Sequence, residues 1–224
     1  MLFRQYVDKI STYWFEMTFP ETAPAEFDYV YLMDALKHLS RPRDRVTVLL
    51  RDGHILRVKK GLYVKNDRKE PFSREILANL IYGPSYLSLE YALAYHGLIP
   101  EAVQTATSVT TQRNREFGTP VGRFEYRHLA LRFYPCGVEC VELGNGRSFL
   151  AASPEKALFD TLYLRSPRIR TAEMEEYLFE NLRIDEGQFS QLRFERIEGV
   201  LATCSRPVIV AFRRFLSPRA GMRP

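Results

Sequence analysis

The chain begins with apolar residues near helical spacing. Leu2, Phe3, Tyr6, Ile10, Tyr13, Trp14 and Met17 predict an amphipathic helix over 2–17. "TFPETAPAEF" breaks it with two prolines. A second stripe, Val30, Met33, Ala35, Leu36 and Leu39, predicts a helix from Asp28 to Leu39. "SRPRD" then turns the chain. Ser40 suits an N-cap and Pro42 a first helical turn, so a third helix covers 42–51 and stops at Asp52-Gly53. The period then shortens. HILRV (54–58) and LYVK (62–65) read as two strands, with Lys59, Lys60 and Gly61 in the turn between them. Three helices followed by a hairpin are the plan of a winged helix-turn-helix. The polar run "NDRKEPFS" places a boundary near residue 70, dividing the chain into 1–70 and 71–224.

The second part mixes periods. "SREILANLIY" (73–82) and "SYLSLEYALAYHG" (85–97) read as helices. Thr105–Thr111 and Phe124–Phe133 read as strands, and Val138–Leu143 with Ser148–Ala151 flank the hairpin signal "GNG". "SPEKALFDTLYL" (153–164) opens a helix with Ser153 as N-cap and Pro154 at its first position. Residues 171–216 read as largely helical. The expected fold class is therefore α+β, an N-terminal winged helix-turn-helix followed by a mixed α/β C-terminal domain.

Charge sharpens the picture. The chain has 224 residues and a net charge of +5. Residues 36–70 carry eleven Lys or Arg against four Asp or Glu, a net +7, which leaves −2 for the rest. One basic segment on a nearly neutral body favours a polyanionic partner. On the third helix, Val46, Leu49 and Leu50 fall on one face, to pack inward. Arg41, Arg43, Asp44, Arg45, Thr47, Val48 and Arg51 fall on the opposite face and its flanks. An α-helix fits the DNA major groove, where Arg can read guanine, Asp can accept from cytosine, and Val or Thr can touch a thymine methyl. Arg57, Lys59, Lys60 and Lys65 on the hairpin are expected to meet phosphates. The same residues also suit a solvated basic surface.

"LLRDGHILRVKKGLYV" resembles the end of the winged-helix domain in the abortive-infection AbiEi antitoxin family, transcriptional regulators of viral defence systems. "SYLSLEYALAYHGLIPEAVQTATSVTTQRNREF", "FEYRHL" and "AASPEKALFDTLYL" resemble that family's C-terminal domain in order and spacing, and the likeness spans residues 28–165. The resemblance implies the antitoxin of a type IV toxin–antitoxin pair. Its N-terminal domain would repress the operon at inverted repeats in double-stranded operator DNA. Its C-terminal domain would support antitoxicity and cooperative binding. The partner would be a nucleotidyltransferase-like toxin, not held in a tight complex.

Other constellations carry less. Cys136, Cys140 and His128 lack the paired spacing of a zinc site. His96 suits a helix end, and Glu155 suits the first turn of a helix. No phosphate-cradling glycine loop and no Ser/His/Asp order appears, so neither an enzyme nor a cofactor is expected. "TSVTTQRNREF", with Thr110, Thr111, Gln112, Arg113 and Arg115, and "RSPRIR", with Arg165, Arg168 and Arg170, suit either polar loops or contact surfaces. Three cysteines in no framework, no membrane-length apolar run and no signal-peptide pattern fit a cytoplasmic protein. The rival readings are a nucleic-acid-processing enzyme that uses Glu155 and a structural adaptor whose basic face binds acidic protein.

Overall fold

The computed structural model describes residues 23–67 and 71–217. The helix expected over 2–17 lies outside them. The architecture is α+β. The chain divides into two units, Met1–Ile81 with Thr119–Val121, and Tyr82–Gly118 with Gly122–Pro224. No helix among the described residues is long and apolar enough to cross a membrane.

Among the described residues, the first unit opens with a short strand. β1 (Glu26–Asp28) pairs antiparallel with β3 (Leu62–Lys65), which pairs antiparallel with β2 (Ile55–Lys59). Phe27 faces Tyr63 across the pair, and their rings stack with centroids 6.2 Å apart. Asp28 ends the strand and caps α1 (Tyr29–Ala35), accepting from the Tyr31 N–H at 2.7 Å. The helix stops at Ala35, short of the expected Leu39. Residues 36–39 close with tight i→i−3 bonds, Lys37 N–H to Asp34 and Leu39 N–H to Leu36.

α2 (Pro42–Arg51) starts with Pro42 at its first turn, as the sequence predicts. It ends where Gly53 takes φ +74° and His54 N–H reaches back to Leu49 O at 3.0 Å. The hairpin turns at Gly61, φ +86°. Leu32, Leu36, Val46, Leu49, Ile55 and Tyr63 make this unit's core. Each fully buried Leu or Ile contributes about 1.5–3 kcal/mol. α3 (Arg74–Ile81) closes the unit, with the Ser73 hydroxyl accepting from Ile76 N–H at 3.1 Å.

The second unit is a six-stranded sheet in the order β6-β7-β5-β4-β9-β8. Its strands are β4 (Ser85–Leu87), β5 (Thr105–Thr110), β6 (Arg115–Thr119), β7 (Gly122–His128), β8 (Val138–Gly144) and β9 (Arg147–Ala152). β5 runs parallel to β7, and β4 runs parallel to β9. Here the structure corrects the helix expected over 85–97. Ser85–Leu87 is a central strand, and the helix α4 begins only at Leu89 and runs to Tyr95. α5 (Pro154–Leu164) starts as expected, with Ser153 Oγ accepting from Lys156 N–H at 3.3 Å. Short helices follow: α6 (Met174–Glu176), α7 (Glu186–Ser190), α8 (Glu198–Thr203) and α9 (Pro207–Leu216). Tyr86, Leu93, Val109, Phe133, Phe159 and Phe212 lie in one buried cluster.

Within that cluster sits a charged network. Asp160 and Lys156, one turn apart on α5, are both fully buried and paired. The other Asp160 oxygen accepts from the hydroxyls of Tyr86 (2.9 Å) and Ser88 (2.8 Å). Burial pushes the Asp160 carboxyl above the ordinary aspartate value, while the Lys156 ammonium pulls it back down. The ammonium also lies 5.4 Å from the Tyr86 ring centre and 5.0 Å from that of Phe159.

Candidate nucleic-acid interface

α2 separates its residues as its apolar spacing requires. Val46 and Leu49 are buried, and Leu50 is half-buried against the same core. Arg41, Arg43, Asp44, Thr47 and Arg51 are exposed, and Val48 is half-buried. The Thr47 hydroxyl bonds back to the Arg43 carbonyl at 3.3 Å, which leaves its methyl as the group it can offer outward. Arg41 lies 4.0 Å from Asp44, and Arg51 Nε holds Asp52 at 2.9 Å. That bond raises the Arg51 guanidinium above its ordinary value and lowers the Asp52 carboxyl. Arg43, Arg57 and Lys60 are exposed and have no ion pair among the described residues.

The structure withdraws several of the expected contacts. Lys65 is 4 % exposed, and its ammonium donates to Ala23 O at 3.3 Å. β3 is the middle strand, and the Lys65 backbone N–H donates to Ala25 O at 2.9 Å, just before β1. It holds the unit together and is not available to phosphate. Lys59 is half-buried and donates to the carbonyl of Ile81, the last residue of α3. There a cation meets the negative end of a helix, and burial lowers its pKa. Arg45 is half-buried, and its Nε is out of water with no hydrogen-bond partner among the described residues.

The end of α2 is tied to the hairpin. Asn66 donates from its side chain to Gly53 O (2.8 Å) and from its backbone to His54 O (2.9 Å). His54 is half-buried, and burial lowers its pKa. Hydrogen bonds from Asn66 therefore hold the end of α2 to the end of the hairpin.

Two residues beside this surface escape a sequence reading. Tyr29 N–H donates to Gly61 O at 3.0 Å, which ties the start of α1 to the hairpin turn. Val30 is 74 % exposed, although the apolar stripe places it inward.

The remaining candidates scatter. His128 Nδ1 bonds to Gln112 O at 2.9 Å and Cys136 Sγ contacts Arg196 O at 3.7 Å, so the two do not gather. No cluster of three His, Cys, Asp or Glu suited to a metal occurs among the described residues. Thr110 donates to Pro84 O at 2.7 Å, and Arg115 lies over the Tyr82 ring, 5.8 Å from its centre. Arg165 bridges Glu90 (3.0 Å) and Glu125 (2.6 Å), and Arg170 pairs with Glu173. Arg113 and Arg168 stand exposed. In comparisons with known proteins, no family model and no curated protein matches the chain.

Proposed function

We propose that this protein is a sequence-specific, double-stranded-DNA-binding transcriptional repressor. In this reading the first unit is a winged helix-turn-helix, with α2 as the recognition helix and the β2–β3 hairpin as the wing. The observation that carries it is the division of α2. Val46 and Leu49 anchor one side in the core, while Arg41, Arg43, Asp44, Thr47 and Arg51 line the other. Arg57 and Lys60 extend the same sign of charge along the hairpin. Base-reading side chains on a buried-backed helix, beside phosphate-reaching cations, are what groove recognition requires. The likeness of residues 28–165 to AbiEi antitoxins supports a narrower reading. The protein would regulate its own operon at inverted repeats, as the antitoxin of a type IV toxin–antitoxin system. Its second unit would act against a nucleotidyltransferase-like toxin, and no catalytic step is assigned to it.

The test is duplex binding over a range of salt. Arg43→Ala and Lys60→Ala should each lower the magnitude of the log K–log salt slope by about 0.9, the value for one lost phosphate contact. Lys59→Ala should leave the slope unchanged and lower thermal stability instead. An unchanged slope in Lys60→Ala, or no preference for the protein's own promoter over random duplex, overturns the reading.

A further inference from the structure

The second unit holds a cavity of about 230 Å³, lined by the end of α4, the start of α5, and α7 with the residues after it. Six polar side chains reach it: His96, Glu155, Gln188, Gln191, Arg193 and Arg196. His96 and Glu155, far apart in sequence, thus share one wall. Their bonding sorts the chemistry. Glu155 is buried, and both of its oxygens are engaged. One accepts from the Ser153 hydroxyl at 2.9 Å, the other from the backbone N–H of Arg193 at 2.8 Å. Its charge therefore pins the Arg193 backbone to the start of α5. His96 Nε2 faces the Ala152 carbonyl at 2.8 Å, so that nitrogen carries the proton and the ring is fixed.

Arg193 and Arg196 supply the positive charge. Arg196 N–H bonds to Arg193 O at 3.1 Å, which makes a turn of 3₁₀ type. Arg193 caps this turn and Arg196 lies within it, and both residues line the cavity. The turn is anchored from beneath by Leu192 and Ile197, both buried. Arg193 has no ion pair among the described residues, and Arg196 has an exposed contact with Glu139 at 3.6 Å. Gln188 and Gln191 add amide donors that are exposed. The cavity is thus rich in donors and carries two guanidiniums against one carboxylate that is already satisfied.

We propose that this cavity binds a small ligand through a phosphate or diphosphate group, with Arg193 and Arg196 as its principal partners. Guanidinium forks match phosphate oxygens bidentately, and paired forks on a fixed turn lose little freedom on binding. The volume suits a phosphate or diphosphate head. The major groove of a duplex is instead read by a protruding helix, not by a recess. The proposal does not depend on the repressor reading.

The test is titration of the full-length protein with inorganic pyrophosphate, following the ring signals of its four histidines by NMR. A saturable shift confined to His96 is expected. Arg193→Met and Arg196→Met, both at exposed positions, should each weaken it by about tenfold while leaving the melting temperature unchanged. Gln191→Ala should weaken it less. The proposal is overturned by a shift at His54 in place of His96, by a response that grows linearly without saturating, or by an equal response in the double arginine variant. It is also overturned if a short duplex moves His96 as strongly as pyrophosphate does, since the cavity would then belong to a nucleic-acid surface.

Discussion

Replacing Asp160 with Asn tests how the second unit tolerates charge in its core. The substitution keeps shape and an oxygen to accept from Tyr86 and Ser88. It removes the only formal negative charge bonded to the fully buried Lys156 among the described residues. An ammonium left in that position has two ring faces about 5 Å away and no carboxylate to compensate it. Breaking a buried pair from one side costs about 3–5 kcal/mol. A domain is stable by about 5–15 kcal/mol in total, so Asp160→Asn should consume a large part of the second unit's margin. Lys156→Met should cost less. The carboxyl that remains keeps two hydroxyl donors, and burial already raises its pKa, so it can take up a proton. The double variant, Lys156→Met with Asp160→Asn, should be more stable than the sum of the singles by about 1–3 kcal/mol. Urea unfolding followed by circular dichroism, with hydrogen exchange on the α5 amides to localise the loss, measures all three. An Asp160→Asn cost below about 1 kcal/mol, or strict additivity in the double variant, would refute the argument that each charge is tolerated only because of the other.

Two further outcomes follow from single positions. Gly137 takes φ +72°, and a Cβ there would meet Lys156 Cβ at 2.8 Å and Ile197 Cγ2 at 2.9 Å. Gly137→Ala should therefore cost about 1–2 kcal/mol for the backbone and about 1–3 kcal/mol for overpacking, with a fall in melting temperature as the measure. His54 has a folded pKa below its ordinary value of 6.5. The unfolded chain then binds the proton more readily, so the contribution is present above 6.5 and lost as pH falls through the depressed folded value. Melting temperature should drop less on acidification in His54→Gln than in the wild type, and parallel pH profiles would rule out the effect.

What the sequence reveals depends on whether the deciding partner is near. Pro42, Ser153, Gly53 and Gly61 act within a few residues, so α2, the β2–β3 hairpin and the start of α5 are legible in the chain itself. β4 is not. "SYLSLEYALAY" has helical spacing, but Tyr86 pairs with Val109 and Leu87 with both Ser108 and Ala151. Partners that distant override a local period. β1 is hidden for a related reason, since it has three residues and finds its partner in β3. Missing β1 also misplaces Lys65. A strand read as half of a hairpin has an open edge, whereas the middle strand of three has none, and the carbonyl of Ala23 that receives the Lys65 ammonium lies just before β1. His96 and Glu155 share a cavity only because β9, which links His96 to the start of α5 through Ala152, brings them together.

On the proposed repressor reading, the fate of each cation sets the size of the electrostatic signal expected on DNA. Eight Lys or Arg on α2 and the hairpin stand as sequence candidates: Arg41, Arg43, Arg45, Arg51, Arg57, Lys59, Lys60 and Lys65. If all met phosphate, the log K–log salt slope would be about −7 per protomer. The structure spends Lys65 on Ala23 and Lys59 on Ile81, and half-buries Arg45. Arg43, Arg57 and Lys60 have no ion pair among the described residues, for a slope of about −3. Arg41 and Arg51 can join them by exchanging exposed ion pairs, each worth at most about 1 kcal/mol, which brings the slope to about −4.5. One protomer on a half-site should thus give a slope between about −3 and −4.5, and two protomers on an inverted repeat about twice that. A half-site slope near −7 would mean that Lys59 and Lys65 leave their carbonyls on binding. Because the Lys65 ammonium is buried against Ala23 O, that result would require the segment before β1 to move away from it when DNA binds.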